Sequence, residues 1–113
     1  MRFSTCKLTD EDEAELRVIV DRPPLNKTPR VKALLKTVVT ARRSCRHHQP
    51  CALSADFYEW PTDELFVGGA HLIDALTMLS GKAARDLVGD FATHMLAEIQ
   101  RRTPRVPQEV TNG

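Results

Sequence analysis

No apolar run in this 113-residue sequence approaches the ~18–20 residues that a membrane-spanning helix needs. Nor does an apolar stretch follow Met1-Arg2-Phe3-Ser4, so a secretory signal is not expected. The motifs of catalysis are missing too. There is no Gly-x-Ser-x-Gly elbow, no phosphate-binding glycine loop and no helical carboxylate–histidine pair. The expectation is a protein that is not an enzyme and carries no cofactor. Cysteines number three, an odd count that fits reduced thiols in the cytoplasm better than a disulfide framework. Internal repeats and low-complexity segments are absent as well.

Two further absences concern charge. Residues 27–48 contain no acid but carry Lys27, Arg30, Lys32, Lys36, Arg42, Arg43 and Arg46. Residues 49–79 contain no Lys or Arg but carry five acids. A net charge of +1 therefore hides a basic first half and an acidic second half. Such asymmetry suggests an anionic partner for the basic half, or mutual neutralisation inside one fold.

The composition is otherwise ordinary for a globular chain, with 42% hydrophobic and 27% charged residues, and the length allows one compact domain or two very small ones. Residues 2–8 lack Gly and Pro and read as a strand, with Ser4, Cys6 and Leu8 on one face and Phe3, Thr5 and Lys7 on the other. Thr9 is a helix N-cap followed by Asp10, Glu11 and Asp12, whose charges suit the positive end of the helix dipole. Leu16, Ile19 and Val20 give the stripe of this first helix, and Pro23-Pro24 stops it. Thr28-Pro29 opens a second helix with the stripe Val31, Leu34, Leu35 and Val38, fraying near 43–48.

Residues 47–61 read as a connector in which Phe57, Tyr58 and Trp60 plug a junction. A third helix is expected over about 62–79, with the stripe Leu65, Leu72, Ile73, Leu76 and Leu79 and a weak point at Gly68-Gly69. A fourth, over about 82–103, should bury Leu87, Val88, Phe91, Met95 and Ile99. Met78, like Met95, is expected in the core, and residues 104–113 are a loose tail.

One short strand followed by two amphipathic helices leaves backbone groups unpaired and buries too little alone. Two copies solve both problems by pairing their strands. In this order and spacing, residues 2–43 resemble the ribbon-helix-helix (MetJ/Arc-like) DNA-binding family. The likeness rests on the strand ending in Leu8, the turn Thr9-Asp10-Glu11, the two helical stripes and the connection Leu25-Asn26-Lys27-Thr28. Pro24 stands where that family has glycine.

The resemblance implies a mainly α fold, with an intermolecular two-stranded ribbon and two helices in residues 1–46, followed by a helical hairpin in 62–103. It implies that Phe3, Thr5 and Lys7 contact bases in the major groove, while Arg2, Lys27, Thr28 and Arg30 contact phosphates. The partners would be double-stranded DNA and a second copy of the chain. Residues 62–103 would add tetramer formation or a protein partner, with no membrane role.

The function so implied is a cytoplasmic, sequence-specific transcriptional regulator acting as a repressor. Alternatives are an antitoxin, a plasmid-transfer (relaxosome) accessory protein or, in another class, a small helical protein–protein inhibitor without DNA binding. Separately, Cys45, His47, His48 and Cys51 form C-x-H-H-x-x-C, with Cys6, His71 and His94 elsewhere. Their spacing departs from the C-x2–4-C pairs of structural zinc sites. The preferred reading is a helix end with a buried thiol and no metal; Cys45, His48 and Cys51 are the ligand candidates otherwise.

Overall fold

The computed structural model of the chain describes residues 1–46 and 51–103. Strand β1 (Arg2–Ser4) leads to helix α1 (Asp10–Val20), the single turn α2 (Pro23–Asn26) and helix α3 (Pro29–Arg46). Strand β2 (Ala52–Ser54), a 3-10 turn at Phe57–Glu59 and the helices α4 (Thr62–Leu76) and α5 (Lys82–Arg102) follow. The fold is mainly helical with one short two-stranded sheet, which agrees with the expected class.

The helix starts follow from local chemistry. Thr9 and Asp12 form a reciprocal capping box: the Asp12 N–H donates to Thr9 Oγ1 at 3.1 Å, and the Thr9 N–H donates to Asp12 Oδ2 at 3.0 Å. Pro23 and Pro24 end α1 as expected, but they also begin α2. A first helical turn has no use for the missing proline N–H.

The strand departs from expectation. Strand β1 pairs antiparallel with β2 of its own chain, in the register Arg2↔Ser54, Phe3↔Leu53 and Ser4↔Ala52. Backbone bonds extend the pairing, from Thr5 N to Cys51 O at 3.0 Å and from Ala55 N to Met1 O at 2.9 Å. The premise that the strand lacks a partner within its chain is thereby corrected. Three residues of the segment read as a connector, Ala52-Leu53-Ser54, supply it.

The strand face is corrected too. Phe3 and Thr5 are buried, while Ser4 and Cys6 are exposed. The face inverts because α5 covers the Phe3 side, with the Phe3 ring edge-on to Phe91 at 4.8 Å and to His94 at 5.4 Å. The strand then ends at Ser4, and a turn at Cys6-Lys7 returns Leu8 to the interior.

One hydrophobic cluster runs from Phe3 to Ile99 and includes the expected stripes of α1, α3 and α5 in full. It joins the two halves. Gly68 lets α4 approach α3, since a Cβ there would sit 2.6 Å from Val31 Cγ2. Phe57 packs edge-on against Trp60 at 5.2 Å and Phe91 at 6.2 Å, so it plugs the junction, whereas Tyr58 is exposed. The α4 stripe needs one correction, at Ile73, and the expected core position of Met78 needs another. Ile73 is 59% exposed, because α5 and α3 cover the Leu65–Leu72 side of α4 and leave the Ile73 side bare, and Met78, in the turn after α4, is 39% exposed.

Arg102 ties the end of α5 to the turn before α4. Its guanidinium donates to the Trp60 carbonyl at 2.6 Å, the Tyr58 carbonyl at 2.8 Å, the Thr62 hydroxyl at 3.1 Å and Glu98 at 2.8 Å. Opposite it, Ser80 and Gly81 start α5 against α1. The Ser80 hydroxyl and N–H donate to the two Glu15 carboxylate oxygens at 2.7 and 3.2 Å. These hydrogen bonds, the hydroxyl first, hold the Glu15 carboxyl below its ordinary value.

Among the described residues no helix is long and apolar enough to cross a membrane. The expected tail, 104–113, lies outside the described residues.

Candidate functional site

The residues expected to touch DNA fall into two groups. Arg2, Phe3 and Lys7 line one groove with Asp86 and Asp90 of α5, so the two cations share it with two carboxylates. Phe3 is turned into the core. Thr5 is fully buried, and its hydroxyl donates to the Cys51 carbonyl at 2.5 Å. Neither side chain faces solvent, which corrects the outward face expected of them.

The second group surrounds the start of α3. Lys27 is exposed. Thr28 is buried; its hydroxyl donates to the Leu25 carbonyl at 3.2 Å and lies 3.2 Å from His71 Nδ1. Arg30 is ion-paired with Glu64 and lies 5.9 Å from the Trp60 ring centroid. A carboxylate therefore already sits at the place where a phosphate was expected. The Arg30–Glu64 pair also joins the basic half to the acidic half, which favours neutralisation within the fold for those two charges.

The remaining cations of the acid-free stretch divide by role. Arg42 is structural: its Nε donates to the Leu8 carbonyl at 2.6 Å, and it pairs with Asp10 at 3.3 Å. Lys32 donates to Asn26 at 2.7 Å. Lys36 makes no ion pair among the described residues. It shares an exposed stripe of α3 with Ala33, Thr37, Thr40 and Arg43. This stripe follows helical spacing and none of its members is acidic, though Arg43 pairs with Glu13 of α1 at 3.6 Å. Beside it a shallow groove of about 310 Å³ is lined by Arg17, Asp21, Lys36, Thr40 and Arg43. The sequence showed the basic stretch but not which of its members point outward.

The cysteines converge. Cys6 lies in the turn after β1, Cys45 in the last turn of α3 and Cys51 just before β2. Their Cα atoms lie 6.0 Å (Cys6–Cys51) and 5.0 Å (Cys45–Cys51) apart. The three Sγ atoms all lie within 4.8 Å of one another. The sulfur of Cys51 meets both others, and those of Cys6 and Cys45 are 3.5 Å apart.

No metal was expected; of the fallback ligand candidates Cys45, His48 and Cys51, the two cysteines meet. His47 and His48 lie outside the described residues. Cys6 was missed as a member because its place depends on the β1–β2 pairing, for which residues 52–54 gave no alternation to read. His71 and His94 take no part; they contact Thr28 and Phe3. Comparison with protein-family models, curated proteins and solved structures finds no match.

Proposed function

We propose that this protein is a DNA-binding regulator that acts as a dimer, with the outer stripe of α3 as its DNA contact. The observation that carries the reading is the acid-free stretch from Lys27 to His48. Most of it is helical, and Lys36, Thr37, Thr40 and Arg43 lie together on its exposed side. A helix of this kind fits the major groove; Thr side chains can reach base edges and cations hold phosphates. The ribbon reading would require β1 to leave β2 and Phe3 to leave Phe91, so the helix is the better candidate for contact.

Dimer formation has its own support. On the outer side of α4 and α5, Phe66, Ile73 and Leu96 are 59%, 59% and 54% exposed. They border an apolar groove of about 480 Å³ whose lining includes Gly69, Ala70, Gly89 and Ala92. Large side chains beside a small-residue groove are self-complementary about a twofold axis, which suits a second copy of this chain.

The test is selection of bound fragments from a genomic library, followed by titration of Lys36→Ala and Arg43→Ala on the selected site and on random DNA. Each variant should weaken binding and reduce the salt slope by about one unit. Absence of binding at low salt would refute DNA recognition. Normal binding by both variants, with lost base preference in Lys7→Ala, would restore the ribbon as the contact.

A further inference from the structure

We propose that Cys6, Cys45 and Cys51 form a three-thiolate site for one zinc-class metal ion, independent of any DNA contact. The first argument is valence. Cys51 sulfur meets two partners, but a sulfur atom joins only one disulfide. Either disulfide leaves the third thiol over, whereas a metal ion uses all three.

The second argument is spacing. Zinc–sulfur bonds of about 2.3 Å at tetrahedral angles place sulfurs about 3.8 Å apart. The three Sγ atoms lie within 4.8 Å of one another, so one ion can reach them all; the Cys6–Cys45 pair, at 3.5 Å, is already near that value, and Cys51 sulfur, which lies closer to both, would draw back to admit the ion.

The frame around the sulfurs is also held before any ion arrives. Thr5 fixes the Cys51 backbone by donating both its hydroxyl and its N–H to the Cys51 carbonyl, at 2.5 and 3.0 Å. The Leu8 N–H donates to the Thr5 carbonyl at 3.2 Å, and Arg42 of α3 holds the Leu8 carbonyl at 2.6 Å. The turn that carries Cys6 is thus tied to the helix that carries Cys45 and to the strand that follows Cys51. Outer contacts of this kind orient first ligands.

The helix end adds a sign. Cys45 is in the last turn of α3, where the helix dipole favours a cation and disfavours bare thiolates. A divalent ion turns three mutually repelling thiolates into one compact centre. On binding, each thiol releases its proton to solvent and donates a sulfur lone pair to the metal, so no oxidant or reductant is needed. The ion would add a further tie between the turn after β1, the end of α3 and the start of β2.

The test uses the full-length chain, reduced, stripped of metal and kept under inert gas. Cobalt(II) and zinc(II) are titrated in separately. The expected result is one equivalent bound per chain, with sulfur-to-cobalt charge-transfer absorption that zinc abolishes. Three thiols should react with iodoacetamide before zinc is added and none after. Cys6→Ser, at an exposed position, should fold and bind cobalt roughly 100-fold or more weakly. Cys51→Ser should behave likewise if it folds. Absence of the charge-transfer band in the reduced chain, or unchanged affinity in Cys6→Ser, would overturn the proposal. So would a Cys51 disulfide, mapped by mass spectrometry, that persists in the freshly isolated protein and excludes metal.

Discussion

Helices α1 and α3 bury their apolar stripes and present mostly acids, cations and threonines outside, with Val18, 58% exposed, as an apolar exception. Helices α4 and α5 bury stripes of the same kind, yet they leave Phe66, Ile73 and Leu96 in solvent. The difference is one of covering. On α1 and α3 the exposed side chains, Val18 apart, are already suited to water or to an anionic partner. On α4 and α5, an apolar side has no cover among the described residues. The first region is therefore the place to look for polar recognition, and the second for assembly.

The largest effect should come from the residue that joins the two regions. Phe91 is fully buried and meets both Phe3 and Phe57. Phe91→Ala should cost about 3–5 kcal/mol in chemical denaturation. It should also loosen the β1–β2 pair, seen as faster amide exchange at Phe3. If exchange there is unchanged, the two regions are separable and the shared core is weaker than described.

Arg102→Ala should cost about 2–3 kcal/mol, because its charged hydrogen bonds hold carbonyls of the turn before α4. Arg102→Lys should restore only part of this, since an ammonium cannot reproduce the fork. Gly68→Ala comes next, at about 1–3 kcal/mol by thermal unfolding, because the new methyl meets Val31. Equal stability of Gly68→Ala and the parent would show that α4 and α3 can part without loss.

Ile73→Ser sharpens the contrast from the other side. It should change the stability of the isolated protomer by only about 0.5 kcal/mol or less. It should nevertheless shift sedimentation toward monomer. A sedimentation profile identical to the parent's would remove the α4–α5 face as the dimer contact.

The smallest effect is a pH dependence at the α1–α5 contact. The Glu15 carboxyl is held below its ordinary value by Ser80, so its contribution is present above the unfolded-state value. It is lost as pH falls through the lower, folded-state value. The melting temperature should therefore drop on acidification, and Glu15→Gln should remove part of that slope. An identical slope in the variant would show that Ser80 does not couple the two elements.

Local signals determined much of this protein. The capping box at Thr9 and Asp12, the prolines around α2 and α3, and the stripes of α1, α3 and α5 depend on residues within a few positions of one another. Helical periodicity reports such features directly. The mainly helical class followed from them. Tertiary structure decided what depends on distant partners. Strand β1 took β2 from a segment too short to show alternation, and that choice turned Phe3 and Thr5 inward. The Ile73 side of α4 has the same period as the Leu65 side, and only the positions of α3 and α5 determined which was covered. Arg30 and Arg42 read as free cations until folding placed Glu64 and Asp10 beside them. The meeting of Cys6 with Cys45 and Cys51 spans most of the first half of the chain; no local spacing encodes it, because the sheet that brings them together is itself a long-range contact.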